Sequence, residues 1–194
     1  MIPGTVAHTL MMMNGIWHDH IELFDLMGNP LPYDDFSGTP GAAPFDNLVY
    51  IHFDGETYLQ TNVTFAGRPL HVRSFSGKII DGVLVFDRLG PQAPEHIGVS
   101  GGYGILIYAP RQVDEAWQRY NEPDYIRILS PGVRTRTTIL YRHGMAVRTL
   151  TAHGTLLSPV ANQRVSWDPR GAEGAVHNIR SSTQVFAAQP TSTG

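Results

Sequence analysis

The sequence predicts an all-β protein: a closed, antiparallel up-and-down barrel with one short helix. Three observations carry this. Strand-like segments are separated by two-residue turns ending in glycine, at Asp54-Gly55, Ala66-Gly67, Asp81-Gly82 and His143-Gly144. Such a turn between apolar runs is the strongest local hairpin signal. Helical and strand-like segments do not alternate, so nothing supplies the crossovers a parallel sheet needs. A long series of sequential strands then closes on itself, because closure removes exposed edges. A β-sandwich is the alternative packing of the same strands.

In order, the first strand opens at Gly15 and runs through Trp17, Asp19 and Phe24 to a turn at Gly28-Asn29. The connection from Pro30 to Phe45 is rich in Pro, Gly, Asp and Ser and long for a compact domain; it reads as a flap or an unstructured loop. Strands follow at Leu48–Phe53, Glu56–Phe65, Arg68–Ser76, Lys78–Ile80, Val83–Asp87 and Ile97–Tyr108. Within the last of these, Ser100 to Gly104 reads as a bent strand or wide turn. The helix is Gln112 to Tyr120, bounded by Pro110 and Pro123 and containing Trp117. Further strands are expected at Tyr125–Leu129, Val133–Arg142, Met145–Ala152, Arg164–Trp167 and Ile179–Phe186. One domain spans 1–186, and 187–194 is a flexible tail.

Gly15-Ile16-Trp17 at the start of the first strand, followed by Phe24-Asp25 and Gly28, resembles the calycin superfamily of lipocalin-like barrels. It looks most like a bacterial lipocalin-like family of unknown function, related to barrels that hand tetrapyrrole pigments to proteins. The resemblance implies that the Trp17 indole plugs one end of the barrel and that Gly15 lets the chain pass close beneath it.

Composition excludes several classes. The 194 residues include no cysteine, so disulfides, thiolate metal sites and a cysteine nucleophile are absent. A net charge of −3 gives no basic footprint for nucleic acid. No apolar run is long enough to span a bilayer, and no basic segment precedes the apolar residues at the N-terminus. The expectation is a soluble cytoplasmic protein with no membrane or nucleic-acid partner. Its oligomeric state is open, with a dimer one option. Lys78, the single lysine, is the sole candidate for Schiff-base chemistry. There is no Gly-x-Ser-x-Gly elbow, and the Gly-rich stretch Ser100 to Gly104 does not open a helix, so no phosphate cradle or dinucleotide fingerprint is expected. No cofactor is expected.

Hairpin geometry assigns faces. Val49, Ile51 and Phe53 share one with Tyr58, Gln60 and Asn62, then with His71, Arg73 and Phe75. This mixture of aromatics with single polar groups suits a ligand cavity; the alternative is that it forms the wet outside. In the late hairpin, Arg134, Arg136, Thr138, Leu140 and Arg142 share a face with Met145, Val147, Thr149, Thr151 and His153. Alternating arginines usually mark a solvated face; if one or two of them, Arg136 above all, turn inward, they would hold a carboxylate, phosphate or enolate through paired N–H donors. Arg127 is a second such candidate, and Tyr103 is expected at the mouth. His18, His20 and Glu22 share one side of the first strand and could hold a metal, at spacings unlike those of cupins. With Trp17 inward, Asp19 is inward too. It is either an acid–base group or a partner of an arginine such as Arg127 or Arg136.

These residues predict a barrel that binds a small, mostly apolar, oxygenated molecule. The candidate catalytic residues are Asp19, His71, Arg73 and Tyr58. The candidate ligand contacts are Trp17, Phe53, Gln60, Asn62, Phe75, Tyr103, Arg127 and Arg136. The resemblance implies a cofactor-free cyclase, isomerase or lyase of bacterial natural-product metabolism. A non-catalytic small-molecule or pigment carrier is the alternative, and a metal-dependent enzyme using His18, His20 and Glu22 a second alternative.

Overall fold

A computed structural model describes residues 1–31, 44–65, 71–90, 93–111 and 122–159. The chain starts with α1 (Val6–Met13), then β1 (Gly15–Phe24), β2 (Pro30–Leu31), β3 (Phe45–Phe53), β4 (Thr57–Phe65) and β5 (His71–Ile80). It continues with β6 (Val83–Phe86), β7 (His96–Gly102), β8 (Ile105–Pro110), β9 (Asp124–Ser130), β10 (Val133–Arg142) and β11 (Met145–Ser158). From β3 to β11 each strand pairs with the next, β1 pairs with β3, and β11 returns to β1 and closes the barrel. β2 adds a short edge beside Leu23 and Phe24. The barrel lies within the unit Met1–Asn162. No helix among the described residues is long and apolar enough to cross a membrane.

Two of the predicted turns take the backbone that tight hairpins require. Asp81 and Gly82 have φ of 51° and 79°, and His143 and Gly144 have 50° and 75°. Positive φ at both central positions matches the right-handed twist of the flanking strands.

The predicted helix Gln112 to Tyr120 lies outside the described residues. The described helix, α1, buries Val6, Thr9, Leu10 and Met13, a spacing that forms one face. Thr5 caps it, its hydroxyl accepting from the His8 N–H at 3.2 Å. Lys78–Ile80 is not a separate strand. β5 runs unbroken through Gly77, whose missing side chain lets the neighbouring strand approach; a Cβ there would sit 2.6 Å from the Val85 carbonyl oxygen. Conversely Ile97–Tyr108 is two strands, since the backbone reverses at Tyr103-Gly104. Ala66-Gly67, Arg164–Trp167, Ile179–Phe186 and the 186/187 boundary lie outside the described residues.

The base of the barrel is packed solid. Leu10 and Met13 of α1, Trp17, Phe53, Tyr58 and Leu106 form one buried cluster. The Trp17 Nε1–H donates to the Met13 carbonyl at 2.7 Å, which satisfies the buried indole and ties the strand to the helix. Asn14 clamps the other side: it donates to the Phe53 carbonyl at 2.8 Å and accepts from the Phe53 N–H at 2.7 Å. Gly15 has φ of 141°, and a Cβ there would lie 2.5 Å from Leu156 Cδ1 and 2.6 Å from the Ser158 carbonyl oxygen. Glycine is therefore required at this crossing, beside the bulge at Ile16/Trp17.

Candidate functional site

Strand register fixes the lumen face. Trp17 pairs with Val49, Val49 with Asn62, and Asn62 with Arg73. The face carrying Tyr58, Gln60, Asn62, Arg73 and Phe75 is therefore the inside, because it is continuous with the plugging indole. Further round, Leu106 pairs with Ile126 and Ile126 with Arg136. Arg134 and Arg136 therefore point inward, not to solvent as alternating arginines usually do.

Above the apolar base comes a polar tier. Asp19 is buried, and Arg134 wraps it: Nη2 lies 2.8 Å from Oδ2 and 3.0 Å from Oδ1, and Nε lies 3.2 Å from Oδ1. The guanidinium also stands 4.5 Å from the centroid of the Trp17 ring. This cation–π contact and the forked ion pair offset the desolvation of both charges. Room for the pair comes from Gly154, where a Cβ would meet Asp19 Oδ1 at 2.4 Å and Arg134 Cγ at 2.7 Å. Asp19 is thus an arginine partner rather than an unattached acid, and the partner is Arg134, not Arg127 or Arg136.

Next to this pair, Arg136 Nε lies 3.7 Å from Asp124 Oδ1, and Asp124 accepts a short hydrogen bond from the Thr138 hydroxyl. Burial works against the Arg136 charge, but the Asp124 and Asp19 carboxylates more than offset this and hold it more firmly protonated than an ordinary arginine. Its Nε is sealed from solvent yet makes no hydrogen bond, and the same holds for Asn47 Oδ1.

A second polar line climbs the facing wall. Tyr108 donates to Tyr58 at 3.2 Å, Tyr58 donates to Gln60, and Gln60 Nε2 donates to Asn62 Oδ1 at 2.8 Å. Burial pushes both phenols well above the ordinary tyrosine range, so they act as neutral donors. Gly98 makes room for Tyr108; a Cβ there would lie 3.0 Å from its ring. Exposure rises along this line. Tyr58 is fully buried, Gln60 and Asn62 are partly accessible, and Arg73 is exposed. Inward-facing groups that are reachable from outside mark where the lumen stops being packed. Ile21, Leu23, Phe45 and Ala152 add a separate apolar cluster on the same inner face.

The structure brings together Asp19, Tyr58, Gln60, Asn62, Arg73, Phe75 and Arg136 on the lumen face. Trp17 and Phe53 form the packed floor and offer no free surface. The side chain of His71 lies outside the description, although its backbone pairs with Thr64 on the same face. Two expectations are corrected. Arg127 is exposed on the outer face, because it pairs with Thr135 and Ile105, both out of phase with the lumen residues. Tyr103 sits at the base, not the mouth: it is 68% exposed in the β7–β8 turn, with its ring 5.3 Å from that of His8.

The late hairpin also differs. A bulge at Leu140/Tyr141 shifts β11 by one residue, so Leu150, Ala152 and Gly154 face inward rather than Thr149, Thr151 and His153. Lys78 is exposed and out of phase with the lumen. On the outside, His18 Nε2 and His20 Nδ1 share Asp46 Oδ1 at 3.1 and 3.0 Å, and Glu22 is not their partner. Among the described residues no group of three His, Asp or Glu is placed to hold a metal.

Sequence reasoning passed over Asp124, Tyr108 and Asn47. Arg134 was placed on the same face as Arg136 but not singled out as a site residue. Asp124 could be reached only through the β8–β9 register.

No family model matches the chain, and no curated protein matches it. Solved structures do. A protein of unknown function from the DUF3598 family of Nostoc punctiforme PCC 73102 superposes with a TM-score of 0.58 at 14% identity. The match covers 80% of this chain and 50% of that one, so the chain spans half the length of that relative. The S-type phycobiliprotein lyase CPES of Guillardia theta superposes with a TM-score of 0.55 at 12% identity, over 78% of this chain and 92% of that one. The Trp17 plug, the meander order and these superpositions show the fold, a closed lipocalin-like antiparallel barrel.

Proposed function

We propose that the barrel binds one small, mostly apolar, oxygenated molecule in the upper lumen, with an acceptor oxygen of the ligand set against Arg136. The carrying observation is the buried Arg136 Nε that has no hydrogen bond. Buried donors are almost always satisfied, so an unsatisfied one facing a lumen calls for an acceptor. Asn47 Oδ1, equally unsatisfied, would take a donor from the same molecule. The apolar residues Ile21, Leu23 and Phe45 would supply the hydrophobic contact, and few polar groups would set orientation. The test is titration with a dansyl-labelled undecanoic acid. We expect saturable one-to-one binding that Arg136→Met weakens at least tenfold, with less effect on the methyl ester. No saturable binding, or equal loss for acid and ester, would overturn the reading.

A second reading makes the same pocket a cofactor-free cyclase, isomerase or lyase. The phycobiliprotein lyase among the similar structures supports it, as does the placement of Asp124 beside Arg136. Arg136 would stabilise a developing oxyanion and Asp124 would move a proton. Asp124→Asn separates the two readings: a carrier keeps its ligand and loses nothing else, whereas an enzyme keeps binding and loses turnover.

A further inference from the structure

The line Tyr108–Tyr58–Gln60–Asn62 has a direction, and the direction decides which atom of Asn62 meets the lumen. Its far end is pinned. Asp124, beside Tyr108 in register, is taken up by Thr138 and Arg136, so the Tyr108 proton goes to the Tyr58 oxygen at 3.2 Å. Tyr58 sends its own single proton to Gln60 Oε1. Gln60 therefore holds Nε2 toward Asn62 and donates to Oδ1 at 2.8 Å. An amide whose oxygen is engaged presents its nitrogen. The chain thus ends at Asn62 Nδ2, a donor with no partner among the described residues, on the inward face where the lumen becomes accessible. Reversing the chain would present Oδ1 instead.

Asn62 and Arg136 stand on opposing walls. In the ring of ten strands, β3, β1 and β11 separate β4 from β10. Followed through register, Asn62 meets β1 at Trp17 and Arg136 meets it at Ile21. That offset is about 13 Å along the strand. A tilt of about 40° over four strand spacings takes up about 16 Å, so the two side chains lie at nearly one height. The same spacing and tilt make the lumen roughly 20 Å wide between backbones. With both side chains reaching inward, about 11 Å separates the two nitrogens, and a hydrogen bond at each leaves about 5 Å between the acceptor oxygens. A carboxylate and a ketone oxygen in a 4-oxo acid span that distance. The charged donor suits the carboxylate and the neutral amide suits the ketone.

We propose that Tyr58 is a positioning residue that holds Asn62, through Gln60, with Nδ2 toward the ligand, and that the lumen selects amphipathic oxo acids, with the carboxylate at Arg136 and the ketone oxygen at Asn62. This rests on ligand binding at Arg136. The test is displacement of the dansyl-labelled undecanoic acid by dodecanoic acid and by 4-oxododecanoic acid. The wild type should prefer the oxo acid about fivefold, the worth of one added hydrogen bond. Tyr58→Phe keeps the ring but removes the proton that orients Gln60, and should bring the two affinities within twofold of each other. Gln60→Met breaks the chain at a partly accessible position and should do the same. Asn62→Asp, an acceptor only, should turn the preference against the oxo acid. A merely structural role for Tyr58 would weaken both acids by one factor and keep their ratio. Equal affinity of the wild type for the two acids overturns the proposal, as does full preference in a Tyr58→Phe variant shown to be folded by circular dichroism. In either case, displacement that is lost in Arg136→Met still supports binding in the lumen. If neither acid displaces the probe, both readings fall together.

Discussion

At the level of single residues, the buried Asp19–Arg134 pair is the costliest feature of the interior. Arg134→Met leaves a carboxylate buried without its cation, and urea unfolding should show a loss of about 3–5 kcal/mol. The double variant Asp19→Asn/Arg134→Met should recover most of that, because the charge that needed compensation is gone. Gly154→Ala should cost about 1–3 kcal/mol by forcing a methyl group into the space the pair occupies. The tyrosines give a pH dependence. Tyr58 and Tyr108 have pKa values raised in the folded state by burial, so the folded protein keeps protons the unfolded chain gives up near pH 10. Their contribution is fully present below about pH 10 and is lost as pH rises above it, through the folded values. Alkaline titration followed at 295 nm should show Tyr58 and Tyr108 ionising only with unfolding, and Tyr58→Phe should remove one phenol from that late-ionising group.

At the level of elements, the clearest sequence signals were the turns, and they were readable for a physical reason. Asp81-Gly82 and His143-Gly144 need positive φ, which few residue pairs tolerate. Gly15 and Trp17 were readable too, because a crossing that would place a Cβ 2.5 Å from Leu156 leaves no choice of residue. Bulges were not. The one at Leu140/Tyr141 reverses the parity of β11, and nothing in Tyr141, Arg142 or Met145 announces it. Glycines were ambiguous: Gly77 looked like a break and is a close approach, while Ser100 to Gly104, read as a bent strand or a wide turn, is the turn. Helix α1 was hidden by its shortness. Its value lies in closing the base, so Leu10→Ala, which empties a fully buried position, should cost about 2–5 kcal/mol by denaturant melt.

At the level of the whole molecule, the barrel divides into a packed floor and a polar tier that becomes accessible above it. The floor explains why Trp17 and Phe53 have no exposed surface although they face the lumen. The polar tier explains why inward arginines are tolerated: Arg134 is neutralised by Asp19, and Arg136 stands beside Asp124, its buried Nε making no hydrogen bond. Lumen parity along β3, β4 and β5 was legible from hairpin pairing, whereas the partners across the barrel were not, because they depend on how β11 returns to β1. The most direct measurement is the Arg136 Nε–H resonance in a ¹⁵N-labelled sample titrated with the dansyl undecanoic acid. It should shift saturably, together with the methyl groups of Ile21 and Leu23, while the outward Ile107 stays still. A resonance that does not move while the probe binds, or shifts confined to the outer face, would contradict a ligand in the lumen.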